Sequence, residues 1–166
     1  LTPEVCAHFE ADESRMVALL RRLNEIEGVK HVRVASGIRY DVGKQEHSLR
    51  SLVKEFVGGQ LKVAPEHRSE RVMELMRKPA FGRFEEFLAL FERESKRAGK
   101  EQYVIPYLIS AFPGCTDDDM RALAEWLRER GWKPQQVQCF IPTPGTVATA
   151  MYHAEVDEEG NPIYVA

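Results

Sequence analysis

GGQLKVAPEHRSERV, residues 58–72, decides the architecture. Gly58-Gly59 closes what precedes it, Leu61 to Ala64 reads as a short strand, and Ser69 stands where a helix N-cap belongs. Between strand and helix lies the rigid turn Pro65-Glu66-His67, an acid and an imidazole side by side. Working outward, the same order recurs. Met16, Val17, Leu19, Leu20, Leu23 and Ile26 repeat at helical spacing up to Gly28, and Lys30 to Ala35 then alternates as a strand does. A helix is expected from about Glu46 to Phe56, a short one from Ser69 towards Pro79, and another over 81–97 closed by Gly99.

Downstream, Tyr103 to Ile109 is an apolar strand, and Thr116-Asp117-Asp118-Asp119 is an N-cap followed by acids that suit the helix dipole. That helix runs to Gly131, and Gln136 to Ile141 forms the last strand. A Pro- and Gly-rich turn and a helix through Met151 follow, then a tail with turn chemistry and little core. Four strands are therefore expected, near 31–35, 60–64, 103–109 and 136–141. Alternation of helix and strand argues for an α/β fold of mostly parallel strands with helical crossovers.

Composition sets the limits. The chain has 166 residues, a net charge of −3, 43% hydrophobic and 30% charged residues, which fits one ordinary globular domain. Nothing in that balance calls for nucleic acid, no apolar run is long enough for a membrane span, and a cytosolic (cytoplasmic) protein is expected. Cys6, Cys115 and Cys139 fit neither a disulfide framework nor a metal-ligand spacing, so reduced thiols and no metal site are expected. The opening Leu-Thr-Pro-Glu-Val reads like the middle of a protein, which suggests an excised piece.

Each expected strand is followed by residues that packing alone does not demand: Ser36 to Asp41, Pro65-Glu66-His67, Ser110 to Thr116, and Pro142 to Thr146. In parallel α/β folds these segments share the carboxyl edge of the sheet, where ligands bind. Each is also an ordinary turn composition, and only their convergence favours a site. Cys115, at a helix start, carries either a thiol of lowered pKa or a merely structural one. His8, His31, His47 and His153 read as surface or satisfied histidines, the aromatic row on 84–91 as core, and Glu10, Asp12 and Glu13 as a solvated or capping acid cluster.

SGIRYD at 36–41, LKVAPEH at 61–67, HRSERVMELMRKP at 67–79, IPYLISAFPGCT at 105–116 and QVQCFIPTPGT at 136–146 together resemble the YgiQ-type family. These are uncharacterised proteins of the radical S-adenosylmethionine superfamily, and the resemblance runs from about residue 6 to 152. Ser69, Arg71, Val72, Leu75 and Met76, the Phe112-Pro113-Gly114 turn and Pro144-Gly145-Thr146 are also similar to the methylthiotransferase branch.

The resemblance implies half of a partial (β/α)6 TIM-type barrel over 1–152, with 153–166 as a short tail. It implies S-adenosylmethionine contacts from Ser36, Arg39, Glu66, His67, Ile109, Ser110 and Phe112, and a 4Fe-4S cluster in the parent protein. The superfamily's C-x-x-x-C-x-x-C and Gly-Gly-Glu loops are absent from this chain. It is thus expected to be the carboxyl half of a radical enzyme, inactive alone, with catalytic residues and substrate unassigned. The alternative is a stand-alone nucleotide-binding or protein-interaction half-barrel; cysteine chemistry at Cys115 ranks last. Self-association through the cut edge at 31–35 is a further expectation.

Overall fold

The computed structural model describes residues 13–41, 46–134 and 136–166. The expectations for Cys6, His8, Glu10 and Asp12 fall outside them. The elements in chain order are α1 (Ser14–Asn24), α2 (Glu46–Ser51) continuing into a π-helical turn (Leu52–Phe56), β1 (Gln60–Glu66), α3 (Glu70–Leu75), α4 (Gly82–Arg97), β2 (Tyr103–Ser110), α5 (Asp117–Glu129), β3 (Gln136–Cys139) and α6 (Val147–Ala154). The fold is mixed α/β with a three-stranded sheet in the order β1-β2-β3. β2 and β3 pair in parallel, with Tyr107 opposite Gln136 and Ser110 opposite Cys139.

The strand expected at 31–35 does not form. Val34 N–H donates to Phe56 O and Ile38 N–H donates to Lys62 O. Four residues on one side thus span six on the other, so no continuous ladder fits between the two bonds. What remains is a single parallel bridge from Ile38 to Val63. The expectation of self-association through a strand edge at 31–35 therefore lacks its strand.

The chain gathers into two compact units. The first comprises Pro65–Phe81 and Pro106–Ala166. Its core holds Val72, Phe112 and Cys115, with Ile109, Met120 and Phe140 packed against them. The other comprises the described residues 13–41 and 46–64 together with Gly82–Ile105. There Val17 packs on Leu52 and Phe56, and the expected aromatic row of α4 is core: Phe84 and Phe91 are buried, and Tyr40 meets Phe84 edge to face at 5.6 Å.

The π turn was not legible, because it depends on distant donors. Val57 N–H reaches Leu52 O, while Lys100 Nζ and Gln102 Nε2 both donate to Val53 O. In α4, Glu94 is a wholly buried acid that accepts from Arg50 Nε at 2.8 Å and Arg97 Nη1 at 2.7 Å, with Arg93 Nε at 3.3 Å. Hydrogen bonding from Arg50 is the main influence lowering its pKa, with burial opposing.

The tail does more than turn. Asp157 Oδ1 accepts from the N–H groups of Glu159 and Asn161, shaping a turn that Val156 and Pro162 close as an antiparallel bridge. Tyr164 O then accepts the N–H of Gly114 at 2.7 Å. Among the described residues no helix is long and apolar enough to cross a membrane.

Candidate functional site at the strand ends

In the first unit the carboxyl ends of two neighbouring strands carry backbone that side chains resist. Glu66, the last residue of β1, has φ 66°, and Ala111, the residue after β2, has φ 55°. A left-handed backbone costs a residue with a Cβ roughly 1–2 kcal/mol. At Glu66 the cause is a three-residue turn in which His67 N–H returns to Pro65 O at 2.8 Å. At Ala111 the chain bends into the Phe112–Cys115 turn, closed by Cys115 N–H on Phe112 O at 2.7 Å.

The turn sets Glu66 apart from both of its neighbours. Pro65 and His67 are buried, whereas Glu66 keeps part of its side chain exposed. Lys78 Nζ lies 3.2 Å from Glu66 Oε1. The other oxygen, Oε2, is buried without a hydrogen-bond partner. An orphaned carboxylate oxygen is costly, which marks this acid as more than a surface charge.

His67 is completely buried. Ser69 N–H donates to its Nδ1 at 3.0 Å, so in the neutral ring the proton sits on Nε2. That N–H faces Met120 Sδ at 3.4 Å and Cys115 Sγ at 3.6 Å. Burial is the main cause of a lowered His67 pKa, opposed by the Asp119 charge. Burial likewise raises the pKa of the Cys115 thiol, and Asp119 adds to the rise. Of the two readings of Cys115, the geometry favours the structural one: desolvation outweighs the helix start, and the nearby imidazole carries its proton on the facing nitrogen.

Asp119 ties the turns together. It forms the capping box of α5 with Thr116, and its Oδ1 accepts from Ser69 Oγ at 2.6 Å while Oδ2 meets Arg71 Nη2 at 2.5 Å. Burial, the largest single influence, pushes its pKa up; hydrogen bonds from Ser69 and Thr116 and the Arg71 charge together overcome it, bringing the pKa down to about 2. Ser69 spends its hydroxyl on Asp119, which is why it makes no side-chain cap to α3.

At the end of β2, Ser110 Oγ lies 3.4 Å from both Gln138 O and Cys139 Sγ. Phe112 is buried and meets Phe140 edge to face at 5.3 Å, and Ile109 packs on the same cluster. Glu66, His67, Ile109, Ser110 and Phe112 thus all belong to the first unit. Ser36 and Arg39 belong to the other, where Arg39 pairs with Asp41. Sequence patterns did not point to Lys78, nor to Tyr164 as the anchor of Gly114; Asp119 was visible only as one acid in a first turn.

The architecture is thus that of a parallel α/β protein with strained, polar strand ends. No family model matches the chain. Its relatives are named UPF0313 proteins: it is 50% identical to one of Geobacter sulfurreducens over 99% of the chain and 28% of that protein. It is 45% identical to one of Pseudomonas aeruginosa over 92% of the chain and 20% of that protein, and 44% identical to one of Methanocella arvoryzae over 99% and 28%. The chain spans about a fifth to a quarter of the length of the relatives it matches.

Proposed function

We propose that this chain is the strand-end portion of a longer radical S-adenosylmethionine protein of the UPF0313, or YgiQ, type, and that it receives S-adenosylmethionine along the carboxyl edge of its sheet. The observation that carries this is the pair of left-handed non-glycine residues, Glu66 and Ala111, at the ends of adjacent strands. Strain of that kind persists where a ligand site benefits from it. The bare Glu66 oxygen suits the hydroxyl or ammonium donors of the cofactor, and the Ser110-to-Phe112 segment offers the Ser110 hydroxyl and its backbone to the nucleoside. His67, having no exposed surface, acts by shaping the turn that presents Glu66.

In such a protein S-adenosylmethionine supplies the sulfonium whose cleavage starts the chemistry. The residues present do not fit an iron-sulfur cluster: among the described residues no group of three His, Cys, Asp or Glu could hold a metal. Cys115 is buried and Cys139 is exposed at the end of β3. Cluster ligands in the longer protein would come from outside the described residues.

Titration of the full chain with S-adenosylmethionine, followed by backbone amide NMR, tests the reading. Shifts at Glu66, Ser110 and Phe112, with affinity lowered about tenfold in Glu66→Ala through loss of a charged hydrogen bond, are expected. A titration that leaves all three amides unmoved overturns it.

A further inference from the structure

The two faces of β2 differ in kind. Val104, Pro106 and Leu108 are buried, while Tyr107 and Ile109, alternating with them, are only partly so. Register places Gln136 opposite Tyr107 and Gln138 opposite Ile109, so in the first unit these four residues share one sheet face. Were that face meant for apolar packing, β-branched and aliphatic residues would fill it. Ile109 does pack into the core cluster at one end of the face, but two amides and a phenol fill the rest.

Their hydrogen bonding is specific. The Tyr107 hydroxyl donates to Gln138 Oε1 at 2.5 Å. The bond takes one lone pair of the amide oxygen and fixes the amide's orientation, so both Nε2 hydrogens point elsewhere on an exposed residue. The phenol oxygen keeps its lone pairs. Neighbouring Gln136 adds a buried Oε1 with no partner. The face therefore offers a fixed donor group beside an acceptor, and none of these three polar groups is charged.

We propose that this face recognises the substrate, and that the substrate presents a neutral, amide-like edge, an acceptor beside a donor as in a carboxamide or a lactam ring. Tyr107 and Gln138 are its specificity residues. A charged group would leave water for a place where these side chains supply no counter-charge, which disfavours it. The inference rests on the proposed function for the statement that the ligand is a substrate; the recognition chemistry rests on the sheet face alone.

The probes are uracil, a neutral lactam, and orotate, the same ring bearing a carboxylate, titrated into the full chain with the Gln138 side-chain amide followed by NMR. Uracil should shift that resonance and bind at least about tenfold more tightly than orotate, a gap worth one well-made hydrogen bond. Gln138→Leu should abolish uracil binding, and Tyr107→Phe, which frees the amide to rotate, should erode the preference with the fold intact. Equal binding of the two probes, or no shift with either, overturns the inference. S-adenosylmethionine titrated into parallel samples separates the two readings: shifts at Ser110 with none from uracil sink this inference alone, and the reverse sinks the cofactor reading alone.

Discussion

Ser69 N–H donates to His67 Nδ1, and that one bond decides the chemistry of the buried cluster around it. With Nδ1 occupied as an acceptor, neutral His67 must keep its proton on Nε2, the nitrogen that faces Cys115 and Met120. A base in that position would need a free lone pair there. The Cys115–His67 contact is therefore packing with a weak polar component, and no nucleophilic pair.

Alkylation measures this directly. In the native chain iodoacetamide should modify exposed Cys139 well before buried Cys115, which should react only after denaturation. Peptide mass spectrometry against time reads the order. Faster labelling of Cys115 would mean that the imidazole activates it.

Protonation has two windows. The folded pKa of His67 lies below its usual value, so the neutral ring contributes stability above about pH 6.5 that is lost as pH falls through the lower folded value. Asp119 is depressed as well, from 3.8 to about 2, so its contribution is full above 3.8 and disappears as pH falls through 2. Allowing for screening of exposed Arg71, that second loss is about 1–2 kcal/mol. Thermal melts should show both steps, with His67→Gln removing the first and Asp119→Asn the second. Persistence of the upper step in His67→Gln would assign it to another group.

Glycine is required at position 114. With φ +89°, an added Cβ there would overlap Leu75 Cδ1. Gly114→Ala should lose roughly 2–3 kcal/mol, combining left-handed strain with overpacking. Adding Leu75→Ala should relieve the overlap but not the strain, so the double mutant recovers less than the whole. Chemical denaturation of both variants checks the split.

Glu66 tests whether strain is held for binding. Glu66→Gly removes the left-handed penalty of about 1 kcal/mol. It should melt higher than Glu66→Ala, while both bind S-adenosylmethionine more weakly than the native chain. If Glu66→Gly melts no higher than Glu66→Ala, the positive φ stores no strain.

In the second unit, Glu94→Gln should lower the melting temperature more than Arg97→Ala. The former leaves three arginines around a neutral group, whereas the latter leaves the acid with two partners. A smaller effect from Glu94→Gln would show that the carboxylate's burial cost nearly cancels its pairing.

Much of the fold was legible because its signals are local. Strand β1 and helix α3 follow from alternation and Ser69, and α5 begins at Thr116 as its N-cap chemistry requires. Segment 31–35 alternates as a strand should, but pairing is a property of two segments, and the two-residue offset between its bonds to Phe56 and Lys62 cannot be seen in either. The candidate site was legible as a set of turns. Which turn residues face outward was not, because the three-residue turn at Glu66 reverses the burial expected for His67. Glu94 escaped notice because an acid among aromatics on a helix looks like its solvent face until its arginines are located.

The bond from Gly114 N–H to the Tyr164 carbonyl makes the turn after β2 a shared possession of two remote stretches of chain. Besides the turn's own bond from Cys115 N–H to Phe112 O, the hairpin through Asp157 and Asn161 steadies Phe112, Pro113 and Gly114 from outside. Grafting the Phe112–Cys115 turn onto another scaffold would transplant letters without their support. Any exchange of parts among these proteins has to move residues 156–164 with the turn, or the lip of the sheet they brace goes slack.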